Sequence, residues 1–421
     1  MFEDSGSRFW IGCINGLQLY NRATDSFKEI RIHREDGKKN PHVTSIIERT
    51  NGDIWIATSG QGIISLKKGK GVNEFRKEKN LIDRMNSNFM NVIYEDSQKN
   101  LWIATEDKGL FKYNPETNAW RLVNGESDGF SGLAADRYGD VLALKIYTAA
   151  WVPYLGNVAD ALCAANPGLN RLAVRFSREV SALPPEVRFH LADGTLFGPP
   201  GWDGRVEFLE NSLIFEANVK EGQKTGFFLD QRENRARVGE LARGMKKVLN
   251  VFSYSGGFSL YAARNGAEEV TDIDFSKPAL AASERNFELN RNLPGVAVCR
   301  HRGIADDAFH AMKTLEEKGE RFDLVIVDPP SFAKSSAERI TALNAYSRLA
   351  SLAVRLLRKN GILVFASCSS RVGADELFEE VHRAAHNAGR PLQEFDRRAE
   401  APDHPADFKE SHYLKCLYAR V

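Results

Sequence analysis

From about residue 235 onward, short apolar runs alternate with helical patterns, and this alternation restricts the fold more than any other feature of the chain. The runs cover 247–252, 269–273, 296–300, 322–327 and 361–367, and the helical patterns 259–265, 277–290, 305–317, 337–359 and 374–388. Strand and helix in turn imply an α/β domain, doubly wound, with helices on both faces of a parallel sheet. In the fourth helical pattern Ile340, Leu343, Tyr346, Leu349, Leu352 and Leu356 recur every three or four residues, which predicts one buried face. Ser276 suits an N-cap of the second helix, and Pro278 a first turn where a missing N–H costs nothing. Such sheets bind ligands at the carboxyl ends of their strands, where strand order reverses.

The first run leads into Asn250-Val-Phe-Ser-Tyr-Ser-Gly-Gly257 and then a helix. Gly256 and Gly257 let the backbone pass close to a ligand. A dinucleotide loop needs Gly-x-Gly-x-x-Gly to bring the chain against a pyrophosphate, and that spacing is absent. An acid, Asp274, closes the second run 18 residues after Gly256 and can accept ribose hydroxyls. Loop and acid together point to a nucleoside-containing cofactor without a pyrophosphate, such as S-adenosylmethionine, lined by Asn250, Phe252, Ser253, Tyr254, Gly256 and Asp274. Asp306 and Asp307 follow the third run, where an acid can hold an adenine amino group or cap a helix. Asp328 ends the fourth run before Pro329 and Pro330, which stiffen the loop. A carboxylate set there costs desolvation without a partner, so a functional role is expected.

The first 120 residues are of another kind. The segments Phe9–Tyr20, Ile54–Leu66 and Leu101–Tyr113 resemble one another, and Trp10, Trp55 and Trp102 recur every 45 to 47 residues. Each reads as strand, glycine turn, strand, with Gly16, Gly62 and Gly109 in the turns. A period of this length marks β-propeller blades. The Trp-Ile-(Gly/Ala) and Gly-Leu patterns resemble two-component-regulator propeller repeats. About three blades are expected, the first starting in mid-unit. Propellers close with roughly four to eight blades, so the segment reads as an incomplete propeller without activity of its own. After Trp120 the blade pattern stops, with no Pro- or Ser-rich linker, as in a join of two segments. The predicted organisation is a partial all-β propeller at 1–120, a small α+β domain at 121–230 and a Rossmann-like domain at 231–421.

The net charge of +1 among 421 residues argues neither for nor against a nucleic-acid partner. The five cysteines, Cys13, Cys163, Cys299, Cys368 and Cys416, form no Cys-x-x-Cys pair. A disulfide framework or a structural metal site is not expected, and reduced thiols suit a cytoplasmic chain. No uncharged apolar stretch is long enough to span a membrane.

Further motifs mark residues 121–421: Ser127-Asp-Gly-Phe-Ser-Gly-Leu133, Asp136-Arg-Tyr-Gly-Asp140, Lys224-Thr-Gly-Phe-Phe-Leu-Asp-Gln-Arg232 with Asn234 and Arg235, Asp328-Pro-Pro-Ser-Phe332, Ser367-Cys-Ser-Ser370, Asp403-His-Pro405 and Tyr413-Leu-Lys415. With the loop at 250–257, these resemble the bacterial ribosomal RNA large-subunit methyltransferase I family, which makes 5-methylcytosine. The resemblance implies an S-adenosylmethionine-dependent enzyme acting on large-subunit ribosomal RNA, its central domain flanking the RNA cleft. It implies Cys368 as the nucleophile and Asp328 as the group that hydrogen-bonds the base. Carbon-5 of cytosine is a poor nucleophile until a thiolate adds at carbon-6, which is covalent catalysis. The turn carrying Gln231 and Arg232 would sit beside the cofactor and target nucleotide, where a cation can meet a carboxylate or phosphate. Family members begin with a small RNA-binding domain, and here the propeller segment takes its place. Asn250 is a second departure, since many methyltransferases carry an acid there.

Two other readings stay open. One is a methyltransferase acting on a nitrogen of a base, which shares the Asp-Pro-Pro loop and needs no cysteine. The other is a propeller-based sensor or interaction protein with a silent methylase domain. Oligomeric state is open too, a homodimer being one alternative.

Overall fold

Seven strands form the largest sheet of the computed structural model, which describes every residue except 33–39, 73, 79–80, 83–84, 86, 97–99, 115, 167, 334 and 409–410. They are β1 (Lys247–Val251), β2 (Glu269–Asp274), β3 (Arg300–Ala305), β4 (Phe322–Val327), β5 (Leu357–Ser367), β6 (Gln393–Arg398) and β7 (Lys415–Arg420). Their order is β3-β2-β1-β4-β5-β7-β6. The first five are parallel, and β7 runs antiparallel to both β5 and β6. Helices α1 (Gly257–Arg264), α2 (Lys277–Leu289), α3 (Ala308–Glu317), α4 (Arg339–Leu356) and α5 (Ala374–Asn387) follow β1 to β5 in turn. Alternate residues of the central strands feed opposite cores. Val248, Ile326 and Val364 pack on one side, and Leu249, Val325 and Leu363 on the other. This two-sided burial is what a doubly wound sheet requires, so its central strands read as continuous apolar runs.

Three local expectations differ from the structure. The third strand is Arg300–Ala305, not 296–300: Pro294–Val298 forms a short helix with proline at its start, and β3 is a largely exposed edge strand that no apolar run marks. In α4 the buried face is Ala342, Tyr346, Leu349, Ala350, Ala353 and Leu356, while Ile340 is 73% exposed. Small alanines fill the buried face of α4, and Ile340 in its first turn stands in solvent. The sheet is mixed rather than wholly parallel, because β7 inserts between β5 and β6.

The chain divides into two units, residues 1–117 with 160–168 and residues 118–159 with 169–421. Within the second unit a five-stranded sheet runs in chain order through Ala119–Asn124, Leu133–Tyr138, Val141–Ile146, Arg171–Phe176 and Thr195–Phe197, followed by the hairpin Arg205–Glu210 and Leu213–Asn218. Phe208, Phe215 and Phe227 form a cluster with ring centroids 5.1 to 5.8 Å apart and join the core on one face of the seven-stranded sheet. Beside it Arg235 and Glu210 form a buried pair, with Nε–Oε1 at 2.7 Å and Nη2–Oε2 at 2.6 Å.

In the first unit three antiparallel sheets of four, four and three strands follow the three repeats. The first blade has four strands, and its first, Phe2–Glu3, pairs with Phe9–Cys13 over two residues where the second blade's first strand, His42–Glu48, has seven. Trp10 and Trp102 each donate their indole N–H to an aspartate six residues upstream, Asp4 and Asp96, at 2.8 Å. Arg49 takes that place before Trp55 and lies over its ring. The third blade's fourth strand is the exception. By the repeat period it falls at Ala119–Asn124, a segment that lies within the second unit and pairs there with Leu133–Tyr138.

Candidate active site

β1 and β4 lie side by side where the sheet order reverses, so the loops that follow them open on one crevice. In the loop after β1, Phe252, Tyr254 and Gly256 all have positive φ (61°, 48° and 72°). Glycine adopts this freely, and two aromatic residues there carry backbone strain that surrounding bonds must hold. Ser253 N donates to Ile273 O at 3.0 Å and Gly256 N to Ser253 O at 2.9 Å. Tyr254 N donates to Asp274 Oδ2 and Ser276 N to Asp274 Oδ1, both at 2.8 Å. Each Asp274 oxygen keeps a further lone pair for a hydroxyl. The Ser253 and Ser255 hydroxyls are buried in this loop without a partner among the described residues.

Asn250 is fully buried behind the loop, its amide donating to Ser259 Oγ at 2.9 Å and Asp272 Oδ1 at 3.3 Å. Asp272 also accepts from Ser259, from Ser283 at 2.6 Å and from His301 Nε2 at 2.8 Å. A Cβ on Gly256 would lie 1.9 Å from Ser283 Oγ, so the glycine is required by both its φ and this close approach. Asn250 thus supports the loop through the Asp272 network.

The other predicted residues fall into two groups. Asp307 caps α3, its Oδ1 accepting from His310 N at 3.1 Å, while Asp306 holds His310 Nδ1 at 2.6 Å. Their loop is tied to the end of β2 by Asp306 N to Asp274 O at 3.3 Å. Gln231 Nε2 donates to Asp328 Oδ2 at 2.9 Å, and Gln231 Oε1 is fixed by Asn234 at 2.6 Å, which accepts from Tyr418 at 2.9 Å. Arg232 makes two bonds to Asp403, at 2.8 and 3.2 Å, so its charge is neutralised within the protein.

Cys368 directly follows β5, which pairs with β4, so the thiol lies beside the Asp328 loop. Its turn is pinned from below: the buried Lys415 ammonium donates to the carbonyls of Ser369 and Val372, and Tyr346 OH lies 3.0 Å from Ser367 Oγ. Burial pushes the Cys368 thiol above its ordinary range, with a further push from Asp328, against which Lys224 and the Ser331 backbone N–H pull down. Asp328 is itself raised to about 7 by burial and by the neighbouring charge of Asp230.

Sequence reasoning assigned no role to Lys224, Asp230 and Tyr413, although all three stand in the motifs. Lys224 Nζ lies 2.5 Å from Asp230 Oδ2, which also accepts from Tyr413 OH at 2.7 Å. The ammonium rests over the rings of Phe228 and Tyr413, at 4.7 and 5.3 Å from their centroids. Burial would raise Asp230, but Lys224, His404 and Tyr413 outweigh it and keep the carboxyl well below the usual range. Lys224 adopts φ 52°, unusual for a residue with a side chain. The motif spacing alone could have paired Lys224 with Asp230; their place beside the thiol depends on β7 bringing Tyr413 back.

A family model described as S-adenosylmethionine-dependent methyltransferase matches residues 196–420, and a two component regulator propeller model matches 84–107. The chain is 46% identical over 307 residues to a ribosomal RNA large subunit methyltransferase of Deinococcus radiodurans, covering 73% of each. It is 34% identical over 309 residues to ribosomal RNA large subunit methyltransferase I of Tolumonas auensis, covering 73% of this chain and 75% of that one. The Escherichia coli protein of the same name is 32% identical over 324 residues, with 76% and 77% covered. Among solved structures, SMU.776 complexed with SAH superposes with a TM-score of 0.62 at 25% identity, covering 73% of this chain and 76% of that one. The crevice fits such a nucleoside: Asp274 has lone pairs to offer, and two buried serine hydroxyls have no partner among the described residues.

Proposed function

The chain belongs to the S-adenosylmethionine-dependent methyltransferases, with the ribosomal RNA large-subunit methyltransferases as its relatives, and on that premise we propose that it makes 5-methylcytosine in large-subunit ribosomal RNA through a cysteine adduct. The observation that carries this reading is the placement of Cys368 at the end of β5 beside Asp328 at the end of β4. Bound S-adenosylmethionine supplies an electrophilic methyl group on a sulfonium. Asp274 takes the ribose hydroxyls, Asp307 the adenine amino group, and Phe252, Ser253, Tyr254 and Gly256 line the cofactor, with Asn250 holding their loop from behind. Gln231 and Arg232 act one step back, by fixing Asp328 and Asp403.

The Cys368 thiolate adds to carbon-6 of the cytosine, and the new electron pair at carbon-5 takes the methyl group. Loss of the carbon-5 proton then reforms the double bond and expels the thiolate. With a pKa near 7, Asp328 has a neutral form at physiological pH that can donate to the ring nitrogen. That same neutrality removes a negative charge from beside the thiol, so activating the base and ionising the nucleophile favour one protonation state. The reduced thiol this demands suits the cytoplasm.

One observation favours a second reading. Burial raises the thiol pKa rather than lowering it, as for a structural cysteine, and a nitrogen-directed methyltransferase would need no nucleophile. Ribosomal RNA containing 5-fluorocytosine separates the two. A covalent complex that survives denaturation and is lost in Cys368→Ala supports the adduct. Full methyl transfer by Cys368→Ala, or methyl groups mapped to a nitrogen, would exclude it.

A further inference from the structure

The loop Ser127–Leu133 belongs to none of the chemistry above, yet it is held rigidly. Glu126 Oε1 accepts from Ser131 Oγ at 2.9 Å and from Gly132 N at 3.1 Å, and Gly132 O accepts from Tyr147 N at 2.8 Å. Trp151 Nε1 donates to Ser131 O at 2.8 Å, and Thr148 caps the short helix Ala149–Tyr154 that carries this tryptophan. What the scaffold presents is aromatic and open. Phe130 is 45% and Tyr147 51% exposed, and the Phe130 and Trp151 ring centroids lie 6.1 Å apart. Rings left in water add little to folding, so their burial does not explain so much local order.

Position narrows the ligand. Although half exposed, the Tyr147 side chain is enclosed enough that burial raises its hydroxyl, while Arg121 and Lys224 pull it down. The sheet that carries Tyr147 reaches the crevice: Thr225, next to Lys224, donates to Asp136 Oδ2 on the strand paired with Val141–Ile146, and Lys224 is the cation beside Cys368 and Asp328. Rigid, open aromatic faces next to a base-modifying centre suit unpaired nucleobases, because every base has a face to stack and stacking tolerates any sequence.

Resting on the RNA reading above, we propose that Phe130, Trp151 and Tyr147 form a stacking platform for the unpaired base next to the target nucleotide. The enzyme then engages its site as single-stranded RNA, with the neighbouring base fixed on the rings while the target enters the crevice.

The test is binding of a fluorescent, cytosine-containing single-stranded RNA of about twelve nucleotides, without cofactor. Phe130→Leu and Trp151→Leu should each weaken binding about 5- to 100-fold. Phe130→Tyr, which keeps the ring and every bond of the loop, should stay near wild type, and Trp151→Phe, which keeps a ring but gives up the bond to Ser131 O, should lose less than Trp151→Leu. Unfolding temperature should hold in both Phe130 variants, and S-adenosylmethionine affinity in all four. Equal RNA affinity in wild type and the leucine variants overturns the platform, as does weaker binding that Phe130→Tyr shares. Binding is read apart from methylation. A chain that holds the oligomer in a ring-dependent way yet transfers no methyl group therefore upholds the platform and overturns only the reaction.

Discussion

Gln231 Nε2 donates to Asp328 Oδ2 at 2.9 Å, and the bond fixes where a proton on Asp328 can reside. Asn234 holds Gln231 Oε1 and so orients the amide with its N–H toward Asp328. The carbonyl oxygen of a neutral acid is its better acceptor, so this bond favours the form with the hydrogen on Oδ1. The turn before the Arg232–Leu241 helix thereby aims the acid that ends β4.

The pH dependence follows. The folded pKa of Asp328, about 7, lies above the ordinary carboxyl value. Its neutral form therefore stabilises the fold at low pH, and that contribution fades as pH rises toward 7. The proposed cysteine mechanism needs neutral Asp328 together with ionised Cys368, whose pKa is higher still. The kcat/KM profile should rise with unit slope to about pH 7, run flat, and fall beyond the thiol pKa. Asp328→Asn, permanently neutral, should lose the break near 7 and keep rising. A break that persists in Asp328→Asn would show that another group titrates there.

Lys224 is the cation that most favours ionised Cys368. Lys224→Met should move the thiol pKa further up, read as a shift to higher pH in the rate of alkylation by iodoacetamide. Lys224→Arg should recover part of it, since the charge is kept. No shift in Lys224→Met would assign thiolate stabilisation to the Ser331 N–H and the Lys415 turn instead.

Gly256→Ala combines a left-handed backbone with a Cβ inside contact distance of Ser283. Strain of this kind costs about 1–3 kcal/mol. The variant should melt earlier and bind S-adenosylmethionine at least about tenfold more weakly, since 1.4 kcal/mol is tenfold in affinity. Adding Ser283→Gly should relieve the contact but not the dihedral strain, so calorimetry should show partial recovery. Complete recovery would mean that the φ value carries no cost.

The Arg235–Glu210 pair is fully enclosed, with side-chain exposures of 3% and 0%. Removing one partner strands a buried charge, at a cost of about 3–5 kcal/mol. Glu210→Ala should lower stability on that scale in urea, while the double change Glu210→Met with Arg235→Met should lose much less. Equal losses in both would show that packing, not charge, is at stake.

What the sequence made legible tracks what local patterns can encode. β1, β4 and α2 stand within a residue of their expected places, because two-sided burial leaves unbroken apolar runs and Ser276 marks a helix start. β3 and β6 were obscure for the opposite reason: at the sheet edges their residues alternate or stay exposed, so no run exists to read. The same holds in the site. Asp274 is marked by its place at the end of an apolar run, whereas Cys368 is singled out only by the family resemblance. The roles of Lys224, Asp230 and Gln231 depend on side chains from residues 224–235 meeting Tyr413, Tyr418 and Asp328, a long-range closure that no spacing announces.

The strand Ala119–Asn124 answers to two grammars at once. Its spacing is that of the propeller repeats, its hydrogen bonds are those of the sheet beside the crevice, and Arg121 within it grips Asp136 and, through its backbone N–H, Asp403. Recombination that exchanges the front of such a gene is therefore tolerated only with a breakpoint upstream of this strand. A crossover just downstream would remove the guanidinium that pairs with Asp136, and a foreign strand could replace it only if it supplied an arginine at that register, whereas the bond to Asp403 asks only for a backbone N–H.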